Sequence, residues 1–196
     1  MQLITTLVMK VTIGFALLFL TFSANCQTFS DQERDSIAKA FFEEHDKSNR
    51  ELINKPFPAF SYLSEGKIID NEHLKGKTVF INFWFEACAP CIAEFGAFNE
   101  MYNKLKGHAN FEFISFTFET SEKIEEIRDK YQIQYKTLSI KREECYRLNN
   151  NNGFPTSFIV DSVGLIKYRV SGGNTDKNKA KEFIMSKVYP EILKNL

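Results

Sequence analysis

Residues 78–91 read Thr-Val-Phe-Ile-Asn-Phe-Trp-Phe-Glu-Ala-Cys-Ala-Pro-Cys, a largely apolar run followed closely by two cysteines. The run is apolar on both of its alternating faces, which is typical of a central parallel strand covered by helices on both sides. Beyond the cysteines, apolar residues recur at helical spacing and predict a helix over residues 92–106: Phe95, Phe98, Met101, Tyr102 and Leu105. The cysteine pair is therefore expected where a buried strand turns into a helix.

That position gives each cysteine a different chemistry. Cys88 is expected at the helix N-terminus, where unpaired backbone amides and the positive end of the helix dipole favour a thiolate. Its lowered pKa would make it the attacking nucleophile. Cys91 follows one turn later on the same face, close enough to form a disulfide with Cys88 and expel a bound substrate thiol. Pro90 suits the first helical turn, where its missing amide has no partner to lose.

The remaining pattern predicts a three-layer α/β sandwich with a mixed central sheet of about five strands. A strand, a helix and a further strand follow the cysteine helix and indicate parallel pairing, whereas two hairpins flank this unit. The expected ranges are a hairpin at 60–63 and 67–69, strands at 111–118 and 137–140, a helix at 121–131, a hairpin at 156–161 and 165–170, and a terminal helix at 178–196. Helices are thus expected on both faces of the sheet, with one hairpin near the N-terminus.

The N-terminal segment predicts export. An apolar stretch from Val11 to Phe22 follows Lys10 and precedes small and polar residues, the pattern of a secretory signal peptide over residues 1–26. It is shorter than the roughly 20 residues that a spanning helix needs. Cleavage before Gln27 is the favoured interpretation, with lipid anchoring at Cys26 as the alternative. Either outcome places the chain in the periplasm or cell envelope.

Two further regions follow the leader. Residues 27–55 predict a polar helical segment that starts with a capping box, Ser30 with Glu33. Residues 56–196 are expected to form the folded domain, and a content of 43% hydrophobic residues is sufficient for one compact core. Lys plus Arg and Asp plus Glu are both 25 and scattered along the chain, so no basic field indicates nucleic acid as a partner.

Two motifs together carry a family resemblance. Asn82-Phe-Trp84 before Cys-x-Pro-Cys, and later Gly153-Phe-Pro-Thr-Ser-Phe158, resemble the paired signatures of thioredoxin-like proteins, specifically the exported TlpA/ResA group. The similarity extends over residues 56–187. It implies a thioredoxin-like fold and thiol-disulfide exchange with protein thiols or disulfides. It also implies that a membrane partner supplies the electrons and that no cofactor is needed. Reduction is the expected direction.

The resemblance also implies roles for single residues. Pro155 is expected to form a cis peptide bond with Phe154 facing the sulfurs, with the adjacent backbone pairing to the substrate chain. The expected substrate-binding residues are Trp84, Pro90, Phe154, Pro155 and Thr156.

Glu94 is the expected proton acceptor. Asn82 cannot take a proton where thioredoxins proper carry a buried Asp, whereas Glu94 matches the acidic residue that the TlpA/ResA group has three residues after the second cysteine. That spacing sets Glu94 on the face of Cys91. An ordinary exposed helix carboxylate is the alternative interpretation.

Two other functions remain open. A peroxidase of the peroxiredoxin type would need Thr or Ser where Phe85 stands, three residues before the reactive cysteine. A copper-binding chaperone of similar fold would need wider cysteine spacing and a downstream histidine, but none follows His108. The histidines and other cysteines lack ligand spacing, so no metal is expected. Cys145 is predicted to be a half-buried free thiol on a helix.

Overall fold

The computed structural model describes residues 50–64 and 66–196, together with Ser30, Gln32, Glu33, Ser36 and Lys47. The predicted capping box is present: the Ser30 amide donates to Glu33 Oε2 over 2.8 Å, and the Glu33 amide donates to Ser30 Oγ over 3.3 Å. The predicted leader, with Cys26, lies outside the described residues, as does most of the predicted polar helix. Within the part that is described, no helix is both long enough and apolar enough to cross a membrane.

The domain is built on a mixed five-stranded sheet, as the sequence predicts. The elements in chain order are β1 (Ser61–Ser64), β2 (Lys67–Asp70), β3 (Thr78–Trp84), α1 (Ala89–Leu105), β4 (Phe111–Thr117), α2 (Ser121–Tyr131), β5 (Lys136–Ser139), α3 (Arg142–Leu148), β6 (Thr156–Val160), β7 (Ile166–Ser171), α4 (Lys177–Phe183), a π-helical turn (Ile184–Val188) and α5 (Tyr189–Asn195). The sheet order is β5-β4-β3-β6-β7, and β1 with β2 forms a separate antiparallel hairpin. β3 is parallel to β4 and antiparallel to β6.

The apolar pattern of β3 has the predicted consequence, because all seven of its residues are buried. Alternate side chains enter two separate cores. The first core packs Phe80 and Trp84 against α1 and the C-terminal helices, and the second packs Val79, Ile81 and Phe83 against α3 and the chain before β1. Helices therefore cover both faces, and the C-terminal end of β3 leads directly to the cysteine pair.

The C-terminal helix differs from the single helix that the sequence predicts. A π-helical turn separates α4 from α5, and the Tyr189 amide donates to Ile184 O, five residues back. Pro190 follows immediately and has no amide to donate to the preceding turn. The loss of that hydrogen bond accounts for the local widening of the helix.

Cys145 also differs from its prediction. It lies on α3, as expected, but its side chain is fully buried rather than half-buried. It belongs to the second core, where burial raises the pKa of its thiol to about 12. Cys145 is therefore a protonated core residue at neutral pH, on the opposite side of the sheet from the core that contains Cys88 and Cys91.

Candidate active site

The two cysteines of the predicted pair are joined by a disulfide at the start of α1. Cys88 is the N-cap residue, and its Sγ accepts a hydrogen bond from the Cys91 amide over 3.3 Å. Pro90 occupies the first turn, as predicted. The exposed fraction is 5% for Cys88 and 1% for Cys91, so a partner reaches the sulfur of Cys88 first. An amide aimed at Cys88 Sγ would stabilise its thiolate once the disulfide opens.

Glu94 is buried, which rules out its interpretation as an exposed helix carboxylate. Only 5% of the residue is exposed, and Oε2 has no hydrogen-bond partner among the described residues. Desolvation raises the pKa of Glu94 from 4.5 to about 8, because burial disfavours the charged form of a carboxyl group. A carboxyl group that titrates near neutral pH, one turn from Cys91, is suited to proton exchange with that thiol.

Gly173, after β7, lies where three residues of the predicted site meet. A Cβ atom on Gly173 would stand 2.9 Å from Glu94 Oε1, 3.0 Å from Pro155 Cγ and 3.3 Å from Pro90 Cβ. The structure therefore brings Pro90, Glu94 and Pro155 around one point. Sequence reasoning did not select Gly173, since its role depends on a contact between distant parts of the chain that only the folded structure reveals.

The Phe154–Pro155 peptide bond is cis, as the resemblance implies. Pro155 is buried, and its carbonyl oxygen accepts a hydrogen bond from the Gly172 amide over 2.8 Å. Thr156 is also buried, and its hydroxyl donates to Gly153 O over 2.9 Å. By contrast, the backbone N–H and C=O of Phe154 have no hydrogen-bond partner among the described residues.

Trp84, one of the expected substrate-binding residues, lies deeper in the structure than that expectation suggests. Its side chain is fully buried and packs edge-on against Phe95, with ring centroids 5.2 Å apart. The indole has no exposed surface to offer a substrate, because α1 covers this end of β3. Trp84 thus packs beneath the cysteine helix, and Asn82 on the same strand donates to Ser157 Oγ of β6 over 3.0 Å.

The described residues contain no group of three or more His, Cys, Asp or Glu side chains that could hold a metal ion. The thiol of Cys145, in the second core, stays protonated near neutral pH because its pKa lies well above neutrality.

Comparison with known proteins agrees with this geometry. The AhpC/TSA family matches residues 53–169. The chain is 31% identical over 146 residues to the thiol-disulfide oxidoreductase ResA of Bacillus thuringiensis subsp. konkukian, which covers 74% of this chain and 83% of that protein. ResA of Bacillus anthracis is 29% identical over 157 residues, covering 79% and 87%.

Solved structures support the fold. A protein described as a putative thiol:disulfide interchange protein DsbE from Chlorobium tepidum superposes with a TM-score of 0.61 at 19% identity, covering 71% of this chain and 97% of that one. A putative protein disulfide isomerase from Bacteroides thetaiotaomicron gives a TM-score of 0.63 at 21% identity, covering 74% and 89%. From the disulfide at the start of α1 and these relationships together, the chain belongs to the AhpC/TSA family of thioredoxin-like proteins and is a thiol-disulfide oxidoreductase of the ResA type.

Proposed function

We propose that this protein reduces disulfides of exported proteins, with Cys88 as nucleophile, Cys91 as resolving thiol and Glu94 as the base that serves Cys91. The observation that carries the proposal is the pairing of a helix-capping Cys88 with a buried Glu94 one turn beyond Cys91. This arrangement gives the two sulfurs different access and provides one of them with a proton acceptor.

The reaction has two exchange steps. The Cys88 thiolate attacks one sulfur of the substrate disulfide, forms a mixed disulfide and releases the first substrate thiolate, which takes a proton from water. Cys91 then transfers its thiol proton to the Glu94 carboxylate, and the Cys91 thiolate attacks Cys88 Sγ. The Cys88–Cys91 disulfide forms, the second substrate thiolate leaves, and two electrons have passed from the dithiol to the substrate. A membrane-bound dithiol donor would restore the reduced pair.

The environment of Glu94 supports reduction as the direction. A cysteine pair is a strong oxidant in its disulfide form when the thiolate of its reduced form is strongly stabilised. A buried carboxyl group near the cysteines opposes thiolate formation whenever it is ionised, and desolvation is the cause of its raised pKa. Weak stabilisation of the thiolate favours the disulfide product, so the dithiol gives up its electrons readily.

Substrate docking is proposed at Phe154. The Pro155 carbonyl is already occupied by Gly172, and the Thr156 side chain is turned toward Gly153. An extended substrate segment would pair with the free backbone groups of Phe154 in the manner of an added strand. Pro90 and Pro155 would flank the reacting sulfurs, because Pro90 lies between the cysteines and both prolines adjoin Gly173.

Export is proposed from the leader pattern of residues 1–26, with the periplasm or cell envelope as the destination and Cys26 as a possible lipid anchor if cleavage does not remove it. Residues 27–55 would then separate the leader from the domain over 56–196.

Trapping with cysteine variants tests the order of the exchange steps. We expect Cys91→Ser to accumulate mixed disulfides with reduction substrates, because the attacking thiol remains and the resolving thiol is gone. Cys88→Ser should capture nothing and lose exchange activity. Cys145→Ser is the matched control: its thiol is buried in the other core, so it should exchange like the wild type. Capture by the Cys88 variant instead of the Cys91 variant would reverse the assignment.

Glu94→Gln tests the base, and two opposite effects are expected. Removing the carboxylate should lower the apparent pKa of Cys88, since a repelling charge is lost. It should also slow the release of the mixed disulfide, roughly 10- to 100-fold, because the proton of Cys91 has no acceptor. Thiol alkylation against pH measures the first effect, and single-turnover release measures the second. An unchanged release rate would exclude Glu94 as the base.

A further inference from the structure

Several buried polar atoms have no hydrogen-bond partner among the described residues, and three of them are Trp84 Nε1, Glu94 Oε2 and Tyr135 Oη. Trp84 and Tyr135 belong to the same core as Cys88 and Cys91. Buried donors and acceptors are rarely left unpaired, because each then loses its hydrogen bonds to water without replacement. Two donors and one acceptor left unpaired beneath a reactive site require an explanation.

The packing places Tyr135 along the Glu94 face of α1. Glu94, Phe98 and Tyr102 follow one another at four-residue spacing and so share one face of the helix. The Tyr135 ring packs against Phe98 and Tyr102, each with centroids 6.3 Å apart, and stacks on Phe113 at 4.0 Å. Helical side chains lean toward the N-terminus, so Phe98 extends back over the turn of Glu94. Tyr135 therefore packs against the face of α1 that also carries Glu94.

We propose that Tyr135 is a positioning residue whose hydroxyl donates a hydrogen bond to the Glu94 carboxylate through one buried water, and so favours the ionised form that Glu94 needs to act as base. This inference rests on the proposed function of Glu94. The proton that moves is the one on Cys91, which passes to Glu94, whereas Tyr135 keeps its own proton throughout. The Tyr135 hydroxyl is a donor only.

Electrostatics support the pairing. Burial, with the charge of Glu94 as a further cause, raises the pKa of Tyr135 well above its usual value, so the hydroxyl stays protonated near neutral pH. Desolvation is the single cause of the raised pKa of Glu94. Tyr135, on the segment before β5, is a titratable group whose pKa responds to the charge of Glu94. Cys91 lies one turn before Glu94 on α1, whereas Pro155 and Gly173, on the remaining side, do not titrate. Within the described part of the chain, the Glu94 carboxyl group therefore lacks a hydrogen-bond donor, which the Tyr135 hydroxyl can supply.

The test measures the pKa of Glu94 directly, by ¹³C NMR of the labelled side-chain carboxyl in the oxidised protein, where the cysteines do not titrate. Tyr135→Phe removes one oxygen atom. We expect it to raise the pKa of Glu94 by about one unit, the size of one hydrogen bond to a charged group. Tyr102→Phe is the matched control, since its half-buried ring lies in the same cluster, and it should leave the pKa unchanged. An unchanged pKa in Tyr135→Phe would overturn the proposal.

Kinetics distinguish this result from the proposed function. In single-turnover release, Tyr135→Phe should shift the pH profile upward by about one unit, so that release near neutral pH falls about tenfold. In a Glu94→Gln background the same substitution should have no effect, because the acceptor is gone. If Glu94→Gln alone leaves release unchanged, Glu94 is not the base, yet the NMR titration still decides whether Tyr135 donates to it. Tyr135→Phe keeps the buried ring and its packing and removes one oxygen atom, so the protein is expected to fold.

Discussion

Gly173 shows how a single residue can limit the site. Its missing side chain leaves room for Glu94 Oε1, Pro155 Cγ and Pro90 Cβ, all within 3.3 Å of where a Cβ atom would lie. Protein interiors are close-packed, so an added methyl group must displace at least one neighbour. At this position, each neighbour belongs to the proposed catalytic or docking surface.

We therefore expect Gly173→Ala to slow disulfide exchange at least tenfold, because small displacements of reacting groups are costly in rate. Its cost in the free energy of unfolding should be about 1–3 kcal/mol, as for other overpacked positions. Gly96→Ala is the control: this exposed glycine lies on α1 with open space around it, and alanine there should stabilise the helix by up to ~1 kcal/mol without changing exchange. Wild-type rates in Gly173→Ala would refute the argument.

The sequence predicts some site residues and misses others for a physical reason. Cys88, Cys91 and Glu94 are related by helical spacing, which can be read along the chain, and Pro155 follows from its motif. Gly173 and Tyr135 join the site through packing between elements distant in sequence, which no local pattern encodes. The full burial of Trp84 could not be predicted, because its motif gives its position on β3 but not the depth to which α1 buries it.

At the level of elements, the loop between α3 and β6 sets the position of Phe154. Asn149 is fully buried, donates from Nδ2 to Gly153 O over 3.0 Å and accepts from the Asn152 amide over 3.3 Å. The next two residues, Asn150 and Asn151, have φ values of 60° and 57°. Asparagine tolerates this left-handed region better than most residues. The run of four asparagines before Gly153 is thus a folded turn in which Asn149 is the buried anchor.

We expect Asn149→Ala to lower the free energy of unfolding by about 1–3 kcal/mol, since it leaves the part-buried Asn152 amide unpaired and removes one of the two donors to Gly153 O. It should also raise KM for a protein disulfide substrate, because the loop holds the proposed docking strand. Asn150→Gly is the comparison, as its side chain is exposed and glycine accepts positive φ; its effect should stay within about 0.5 kcal/mol. Urea unfolding and steady-state kinetics measure both, and equal effects of the two changes would contradict the anchoring role.

Element boundaries show what local signals can and cannot give. The prediction of α2 over 121–131 agrees with the structure, because Thr120 caps its first turn and a charged face repeats along it. The start of α1 agrees with the prediction that Cys88 lies at the helix N-terminus and Pro90 in the first turn, although apolar spacing alone indicates a helix only from residue 92. The π-helical turn was missed because it depends on where Pro190 falls relative to the packed face of the helix.

At the scale of the whole molecule, alternating strand and helix patterns predicted the layers of the sandwich correctly. Strand order is harder to predict from the sequence, since β3 and β6 pair although they lie far apart along the chain. Only the burial of β3 on both faces indicates that it has two neighbouring strands. The same burial that makes the sheet stable also encloses Glu94, which links global stability to the titration of the site.

That link predicts an unusual dependence of stability on pH. The pKa of Glu94 is about 8 in the folded protein and near 4.5 when unfolded. Between these values the folded state binds more protons than the unfolded state, so the free energy of unfolding falls as pH rises. Exposed carboxyls with lowered pKa values, such as those of Glu100 and Glu144, act in the opposite sense and only below about pH 4.5. The two windows do not overlap.

We therefore expect the oxidised protein to be most stable near pH 5 and to lose up to a few kcal/mol as the pH approaches about 8, at about 1.4 kcal/mol for each unit of pKa difference. Urea unfolding at several pH values across this window measures the slope. Glu94→Gln has no proton to lose, so its stability should be nearly constant over the same range and should exceed that of the wild type most clearly at the alkaline end. A wild-type curve as flat as that of the variant would mean that water reaches the Glu94 carboxylate, and the base would then titrate as an ordinary surface acid.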